Sequence, residues 1–378
     1  MRSKFARLLT ATAAIVAGSI LTGPVAFAQV CAVPGKDGIG TPSGVVNTYY
    51  AGNGTWGAGS TGPFTLGTQR TGGGTGITAG DLVLVIQMQD GSATDFSTAA
   101  ATYGTGTGTV GQFEYAKVAT ISGSSMTLAA NLQNSYTQSN TDRQTFQVVR
   151  IPQYSSATLS GNLTALPWTV NTSGEGTGGI VGIDIAGLFS LGASSKVDVS
   201  GLGFRGGGGT NSALNRAGGL FDDIRYDSTG NGASKGEGTA GTPRFVFDGT
   251  ATLVDYTSEG YTNGSYGAGA PGNAGGGGND GEPVAGINQY NSGGGGGGNQ
   301  AAGGQGGKSW NKNNDAGGRG GRANANSSSK LVMGGGGGAG TSNNNATTNS
   351  ITTYPPPGTV SNAGAATQSN GEIGRAHV

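Results

Sequence analysis

The chain has 378 residues, of which 80 are glycine and one is cysteine, and its 20 basic and 20 acidic side chains balance to a formal net charge of +0. Only 11% of the residues are charged, so the chain offers no basic field for nucleic acid or anionic lipid. The lone cysteine, Cys31, excludes an internal disulfide, and the fold must be held by hydrogen bonds and packing.

Residues 1–28 have the order of a secretion signal. A basic start is followed by an apolar stretch, Leu8–Leu21, that is too short to span a bilayer, and then by the small-residue motif Ala26-Phe27-Ala28. This order predicts a signal peptide that is cleaved near Ala28. We therefore expect a secreted or cell-surface protein with no transmembrane segment in the mature chain.

Residues 29–200 predict a β-rich domain. Helix signals are almost absent, and runs of alternating or continuous apolar residues lie between Gly, Pro, Asn and Asp turns. Leu82–Met88 is apolar on both faces at its start, as in a buried strand. The other predicted strands are Val45–Tyr50, Phe113–Ile121, Ser125–Leu132 and Thr145–Ile151.

From about residue 174 the pattern changes to short apolar strands separated by Gly, Ala and Ser corners. Such strands are typical of the rungs of a β-solenoid, in which successive coils stack in parallel. Asp184 and Asp198 lie between β-branched neighbours, so we expect both to point away from the core. Residues 29–200 are therefore expected to form a β-sandwich or a β-solenoid-like region.

Residues 201–340 hold 45 of the 80 glycines. Runs such as Gly293–Gly298 have no side chains with which to build a core. Each glycine also loses more backbone entropy on ordering than a residue of any other type does. The lack of a three-residue glycine repeat excludes collagen. Two interpretations remain: extended threefold glycine helices that bond laterally, or loops that are partly disordered. Apolar islands at Phe245–Phe247, Trp310 and Leu331–Met333 favour glycine segments that are anchored to a β scaffold.

The last 38 residues are expected to comprise a spacer and a short sequence that does not belong to the protein. Residues 341–371 are rich in Asn, Thr, Ser and Pro, which is typical of a spacer. Residues 372–378 read Glu-Ile-Gly-Arg-Ala-His-Val, which matches the translation of a common sequencing adapter. We therefore expect adapter read-through, a natural chain that continues further, and no native histidine, since His377 is the only one.

Three stretches resemble a known group of proteins: Gly80–Gln89, Phe146–Ser155 and Gly178–Gly207. They are similar to the N-terminal part of large secreted, glycine-rich bacterial surface proteins of adhesin-like or uncharacterised type, over most of residues 31–340. The resemblance implies a longer chain with repeated domains or an anchoring signal, and it supplies no functional residues. The glycine-rich part is also similar in composition to the extracellular glycine-rich modules of some animal receptor kinases.

Two glycine motifs imitate nucleotide-binding loops. Gly201–Gly206 matches G-x-G-x-x-G, but the glycines that follow it cannot start the helix that holds a pyrophosphate. Residues 302–309 lack the first glycine of a P-loop and a preceding strand.

Acidic loops offer a weak structural calcium site, with the candidates Asp222, Asp223, Asp227, Asp280 and Glu282. No other cofactor is expected.

Without a native histidine, relays based on Ser-His-Asp or Cys-His are excluded. Asp184, Asp198 and Lys196 could act as catalytic residues of a secreted carbohydrate-active β-helix protein, although an exposed polar face is the favoured interpretation. We therefore expect a non-enzymatic, secreted bacterial surface protein with a structural or adhesin-like role. Its expected partners are surface glycans or other envelope components. Several tyrosines and tryptophans could provide a sugar-stacking surface.

Overall fold

The structure is a computed structural model that describes residues 33–92, 94, 96, 103–106, 108–140, 143–208, 233–247, 253–256, 261, 264–279, 292–307 and 317–340. These residues contain no helix, so the fold is all-β, as the sequence predicts. The proposed signal peptide, the spacer and the proposed adapter sequence, residues 1–28 and 341–378, lie outside them.

Twenty strands are present in the described residues. In chain order they are β1 (Ile39–Gly40), β2 (Gly44–Val45), β3 (Thr48–Ala51), β4 (Thr55–Trp56), β5 (Phe64–Thr65), β6 (Gln69–Thr71), β7 (Leu82–Asp90), β8 (Phe113–Ser122), β9 (Ser125–Leu128), β10 (Tyr136–Thr137), β11 (Gln144–Ile151), β12 (Gln153–Tyr154), β13 (Ser156–Leu159), β14 (Leu163–Thr164), β15 (Thr169–Val170), β16 (Gly176–Thr177), β17 (Asp184–Ile185), β18 (Phe189–Leu191), β19 (Phe245–Phe247) and β20 (Leu253–Asp255).

The central sheet has seven antiparallel strands in the order β5-β9-β8-β7-β11-β3-β6. Its middle strand, β7, pairs with β11 and β8, and all nine residues of β7 are buried. Alternate side chains of a strand point to opposite faces, so both faces of this sheet carry a core. The two-sided burial explains why β7 begins with a continuous apolar run, Leu82–Ile86.

The two cores divide the side chains of β7 between them. Leu84 faces a core that includes Trp168 and Phe204 from later in the chain. Val83 faces the second core, which includes Trp56 from β4. The side chain of Trp168 is 1% exposed and lies inside the first of these cores.

Three short coils stack in parallel beside the sheet: residues 37–45, 153–164 and 184–197. β1 pairs with β13, and β13 pairs with β18. β2 pairs with β14, and β12 with β17, in the same direction. Parallel stacking of short coils, as in a solenoid, is present, but only the third coil lies after residue 174. The first two coils come from before that point, and the central sheet is inserted between them in the chain.

A buried ion network joins the first coil to the sheet. Arg150 donates from Nε to Asp81 Oδ2 at 2.9 Å and from Nη2 to Asp37 Oδ1 at 2.6 Å, and Lys36 also contacts Asp81. Burial alone would raise the pKa of Asp81. Hydrogen bonds from Arg150 and Lys36 outweigh burial and hold this pKa below its usual value.

We expect Asp81 to make the free energy of unfolding depend on acid. Because its pKa is lowered in the folded state, its contribution is present above the unfolded-state pKa of about 3.9 and is lost as the pH falls through the folded pKa. Asp81→Asn should cost about 2 kcal/mol at pH 7 and flatten the acid dependence. Urea unfolding at pH 7 and pH 3 measures both effects. An acid dependence equal to that of the wild type would contradict this role.

The glycine-rich region forms a bundle of extended segments that are bonded backbone to backbone. The N–H groups of Gly275, Gly276 and Gly277 donate to three different neighbouring segments. The N–H group of Gly278 donates to the same segment as that of Gly275. Gly275 and Gly278 donate to Gly336 and Ala339, both at 2.8 Å. A partner that recurs every three residues indicates a threefold helix of the polyproline II type. Of the two interpretations left open by the sequence, the described segments follow the ordered array.

Side chains have no space at the contacts between these glycine helices. A Cβ atom added to Gly276 would lie 2.0 Å from Ala268 O, and one added to Gly336 would lie 1.8 Å from Arg205 O. At Gly304 an added Cβ atom would meet nothing within 4 Å. The glycines therefore divide into positions where the backbones pack and positions that are open.

Apolar islands anchor the bundle, as predicted. Met333 belongs to the same core as Leu84 of β7, and Leu331 N donates to Gly111 O at 2.8 Å. Phe245–Phe247 is buried and forms β19. The third predicted island, Trp310, lies outside the described residues.

Candidate functional site

A polar cleft opens where the sheet, the β15–β16 hairpin and the glycine bundle meet. It encloses about 130 Å³. One wall is the turn between Ser139 and Gln144, the other is the turn after Val170, and the bundle contributes Thr242. The lining side chains with hydrogen-bonding groups are Gln89, Ser139, Asn140, Arg143, Thr145, Asn171, Thr172, Thr242 and Tyr256.

Arg143 holds an unusual backbone conformation in the first wall. Ser139 and Gln144 exchange backbone hydrogen bonds of 2.9 Å in both directions, which closes the turn. Arg143 has φ 54° and is the one non-glycine residue with positive φ in the described part of the chain. The left-handed region costs an L-residue about 1–2 kcal/mol, and strain of this kind clusters at functional sites. The side chain donates from Nη1 to Asn140 O.

The second wall is a turn organised by Asn171. Its Oδ1 accepts from Ser173 N at 2.9 Å and from Glu175 N at 3.0 Å, and its Nδ2 donates to Glu175 Oε2 at 2.7 Å. A side-chain amide that bonds to the backbone just ahead of it is a common turn device. Asn140 joins the two walls by donating to Ser173 O at 2.6 Å. The polar rim is therefore fixed before any ligand binds.

A buried ion pair lies beneath the cleft. Arg205 donates from Nε to Glu237 Oε2 at 2.8 Å and from Nη2 to Oε1 at 2.9 Å, a bidentate geometry. Thr242 Oγ1 donates to Glu237 Oε1 at 2.6 Å, and Arg205 Nη1 donates to Tyr256 OH at 2.8 Å. The hydroxyl of Tyr256 donates in turn to Val170 O at 2.5 Å. Two lining residues, Thr242 and Tyr256, are thus fixed by the pair.

The ion pair keeps its charges despite complete burial. Burial would raise the pKa of Glu237, but the charge and hydrogen bonds of Arg205 outweigh it, so the pKa of Glu237 is lowered. Burial would lower the pKa of Arg205, and the charge of Glu237 raises it instead. Burial raises the pKa of Tyr256, which stays neutral at pH 7. The floor of the cleft therefore has no net charge.

The catalytic candidates of the third coil are only partly brought together. Lys196 Nζ donates to Asp198 Oδ2 at 2.6 Å, and Asp198 Oδ1 accepts from Ser200 N at 3.0 Å. The hydrogen bond from Lys196 lowers the pKa of Asp198, whereas a general acid needs a raised pKa. Among the bonds of the described residues, none joins Asp184 to either side chain.

The calcium candidates Asp222, Asp223, Asp227, Asp280 and Glu282 all lie outside the described residues. Within the part that the structure describes, no group of three His, Cys, Asp or Glu residues could hold a metal ion. The same part contains no helix with the length and apolar character to cross a membrane.

The hypothesis of an aromatic sugar-stacking surface is wrong for most of the residues considered. Their rings are buried, and most of them belong to the hydrophobic clusters of the interior. Those at most 7% exposed are Tyr49, Tyr50, Trp56, Tyr103, Trp168, Tyr261 and Tyr266. Tyr154 is half-buried. Tyr256 lines the cleft instead, and the sequence carried no signal that singled it out.

The nucleotide-like motif is part of the bundle. Phe204 N donates to Gly334 O at 3.2 Å, and Arg205 O accepts from Glu237 N at 2.9 Å.

Comparison with known proteins finds no matching family model, no matching curated protein and no matching solved structure.

Proposed function

We propose that the chain is a non-enzymatic, secreted bacterial surface protein with a structural or adhesin-like role, exported after cleavage near Ala28. Its cleft would contact surface glycans or other envelope components. The observation that carries the proposal is the lining of the cleft, where amides, hydroxyls, a guanidinium and a tyrosine converge. Sugar hydroxyls both donate and accept hydrogen bonds, and these side chains offer both roles.

The glycine bundle supports the same role. Its segments are joined by backbone hydrogen bonds and lie too close for side chains. A body of this kind has few rotatable side chains, so it holds the cleft rigidly with little entropy left to lose on binding. Rigid presentation of a small polar site suits an adhesin that uses many weak contacts.

Arg143→Gly is expected to weaken glycan binding without weakening the fold. Glycine is at ease in the left-handed region, so the melting temperature should be unchanged or raised, while loss of the guanidinium should lower affinity at least about tenfold. Binding of the full chain to a glycan array, with titration against the best ligand, measures this. Arg322→Ala removes an arginine that does not line the cleft and should bind as the wild type does.

Two outcomes would overturn the proposal. If the Arg143→Gly variant binds glycans as tightly as the wild type does, the cleft is not the glycan-binding site. Release of reducing ends from a polysaccharide panel, abolished by Asp198→Ala, would make the chain a carbohydrate-active enzyme that uses the third coil.

A further inference from the structure

The third coil ends the parallel stack with an open edge. β18 pairs with β13 on one side. In the described part of the chain, no strand pairs with its other side. An exposed strand edge presents unpaired N–H and C=O groups that can bond to another strand.

The register shows that the core side of this coil is uncovered. Phe189 pairs with Ala157 and Leu191 with Leu159. Directly paired residues of neighbouring strands point to the same face. In the middle coil, Ala157 and Leu159 are 2% and 0% exposed, whereas Phe189 and Leu191 are 42% and 61% exposed. The end of a solenoid needs a cap to cover such residues.

The apolar surface extends beyond β18. Val197 pairs with the fully buried Leu163 and is itself 52% exposed, and Leu188, just before β18, is 74% exposed. We define Leu188, Phe189, Leu191 and Val197 as the end patch. Large exposed apolar side chains that are grouped on one coil mark interaction surfaces.

Charge does not oppose a second copy of the chain at this edge. The charged neighbours Lys196 and Asp198 form an ion pair with each other at 2.6 Å. Without residues 1–28 and 372–378 the chain has 16 basic and 19 acidic side chains, so its net charge is small. A protein with little net charge is not kept apart from its copies by repulsion.

The edge is also complementary to itself. If two β18 strands pair antiparallel about a twofold axis at Ser190, Phe189 of each copy lies opposite Leu191 of the other. Aromatic and aliphatic side chains in directly opposed positions stabilise antiparallel strands, and the twofold axis makes the contact twice. We propose that the end patch is a dimerisation surface, occupied by a second copy of this chain through antiparallel pairing of β18.

The size of the end patch predicts a weak dimer. Four partly exposed side chains cover roughly 400 Å² per copy, about half of a standard interface. We expect a dissociation constant of about 10–500 µM. With this affinity, copies crowded on a surface would pair more readily than copies in dilute solution.

Analytical ultracentrifugation of the full chain between about 5 µM and 1 mM tests the proposal. The wild type should pass from monomer to dimer, and Leu191→Asp should stay monomeric at every concentration. Leu191 is 61% exposed, so the melting temperature should not change. Ile39→Asp is the matched control, since Ile39 is 83% exposed on the opposite edge of the same three-stranded sheet, and it should dimerise as the wild type does. A monomeric wild type, or a dimer that survives Leu191→Asp, would overturn the proposal.

Ser190→Cys, in a Cys31→Ser background, tests the register. The twofold axis brings the two Cys side chains opposite each other, at a Cα separation of about 4.5–5.5 Å that a disulfide can bridge. Mild oxidation at 200 µM should give a covalent dimer, and Ser124→Cys, on the exposed turn between β8 and β9, should give none. Equal cross-linking at both positions would exclude this register.

Discussion

Gly276→Ala is expected to destabilise the glycine bundle by at least about 3 kcal/mol, which corresponds to a fall in melting temperature of about 5–10 °C. The added Cβ atom would lie 2.0 Å from Ala268 O and 2.6 Å from its carbonyl carbon. Backbone atoms cannot rotate away as a side chain can, so two segments must separate. Gly276 also donates to Arg319 O and accepts from Gly295 N, both at 2.8 Å, and both bonds would lengthen. Thermal unfolding followed by circular dichroism measures the change.

Gly304→Ala is the matched control for Gly276→Ala. The substitution is chemically the same, in the same bundle, but nothing lies within 4 Å of the added Cβ atom at Gly304. Alanine also restricts the unfolded chain more than glycine does, so this variant should be neutral or stabilised by up to about 1 kcal/mol. Equal effects at the two positions would mean that backbone packing does not hold the bundle.

Glu237→Ala is expected to cost about 3–5 kcal/mol, because it leaves the guanidinium of Arg205 buried without its carboxylate. Arg205 is 4% exposed and Glu237 is 0% exposed. The substitution also removes the acceptor of Thr242, so the cleft should lose its fixed floor. Urea unfolding measures the stability, and glycan titration of the surviving folded protein measures the cleft.

The double variant Arg205→Met/Glu237→Leu distinguishes the effect of losing the ion pair from the effect of losing side-chain packing. Apolar side chains of similar volume need no desolvation of charge, so the double variant should be at least about 2 kcal/mol more stable than Glu237→Ala. Because the pKa of Glu237 is lowered in the folded state, its stabilising contribution is present above an unfolded-state pKa of about 4.3 and is lost as the pH falls through the folded pKa. The double variant should lack this acid dependence. Additive single-variant effects would contradict a coupled pair.

The strands were predictable where burial leaves a pattern in the sequence. Leu82–Met88 had to be buried on both faces, and the alternation from Phe113 to Ile121 correctly placed β8. The pairing was not predictable. Nothing local indicates that residues 37–45 form a coil against 153–164, because a parallel pair needs no turn between its strands and its partner is set by the packing of the whole sheet.

The cleft was not predictable, for a related reason. Arg143, Asn171 and Tyr256 are far apart in the chain and share no motif. Arg143 occupies a backbone position that usually selects glycine or asparagine, so an arginine there did not indicate a turn. Arg205 and Glu237 were hidden among glycines, and only the three-residue repeat of the helices brings their segments side by side. The acidic residues that could be selected from sequence were those in clear strand patterns, such as Asp184 and Asp198, and these lie outside the cleft.

The threefold repeat of the glycine helices has a consequence for how such a module can change over generations. An amino-acid substitution at any of its packed glycines introduces a Cβ atom for which there is no space. The module therefore cannot diverge by substitution at these positions. A segment that gains or loses three residues keeps every remaining N–H aimed at the same neighbour. Divergence in this module should therefore take the form of length changes in steps of three and of altered connecting loops, while the inner glycines stay as they are.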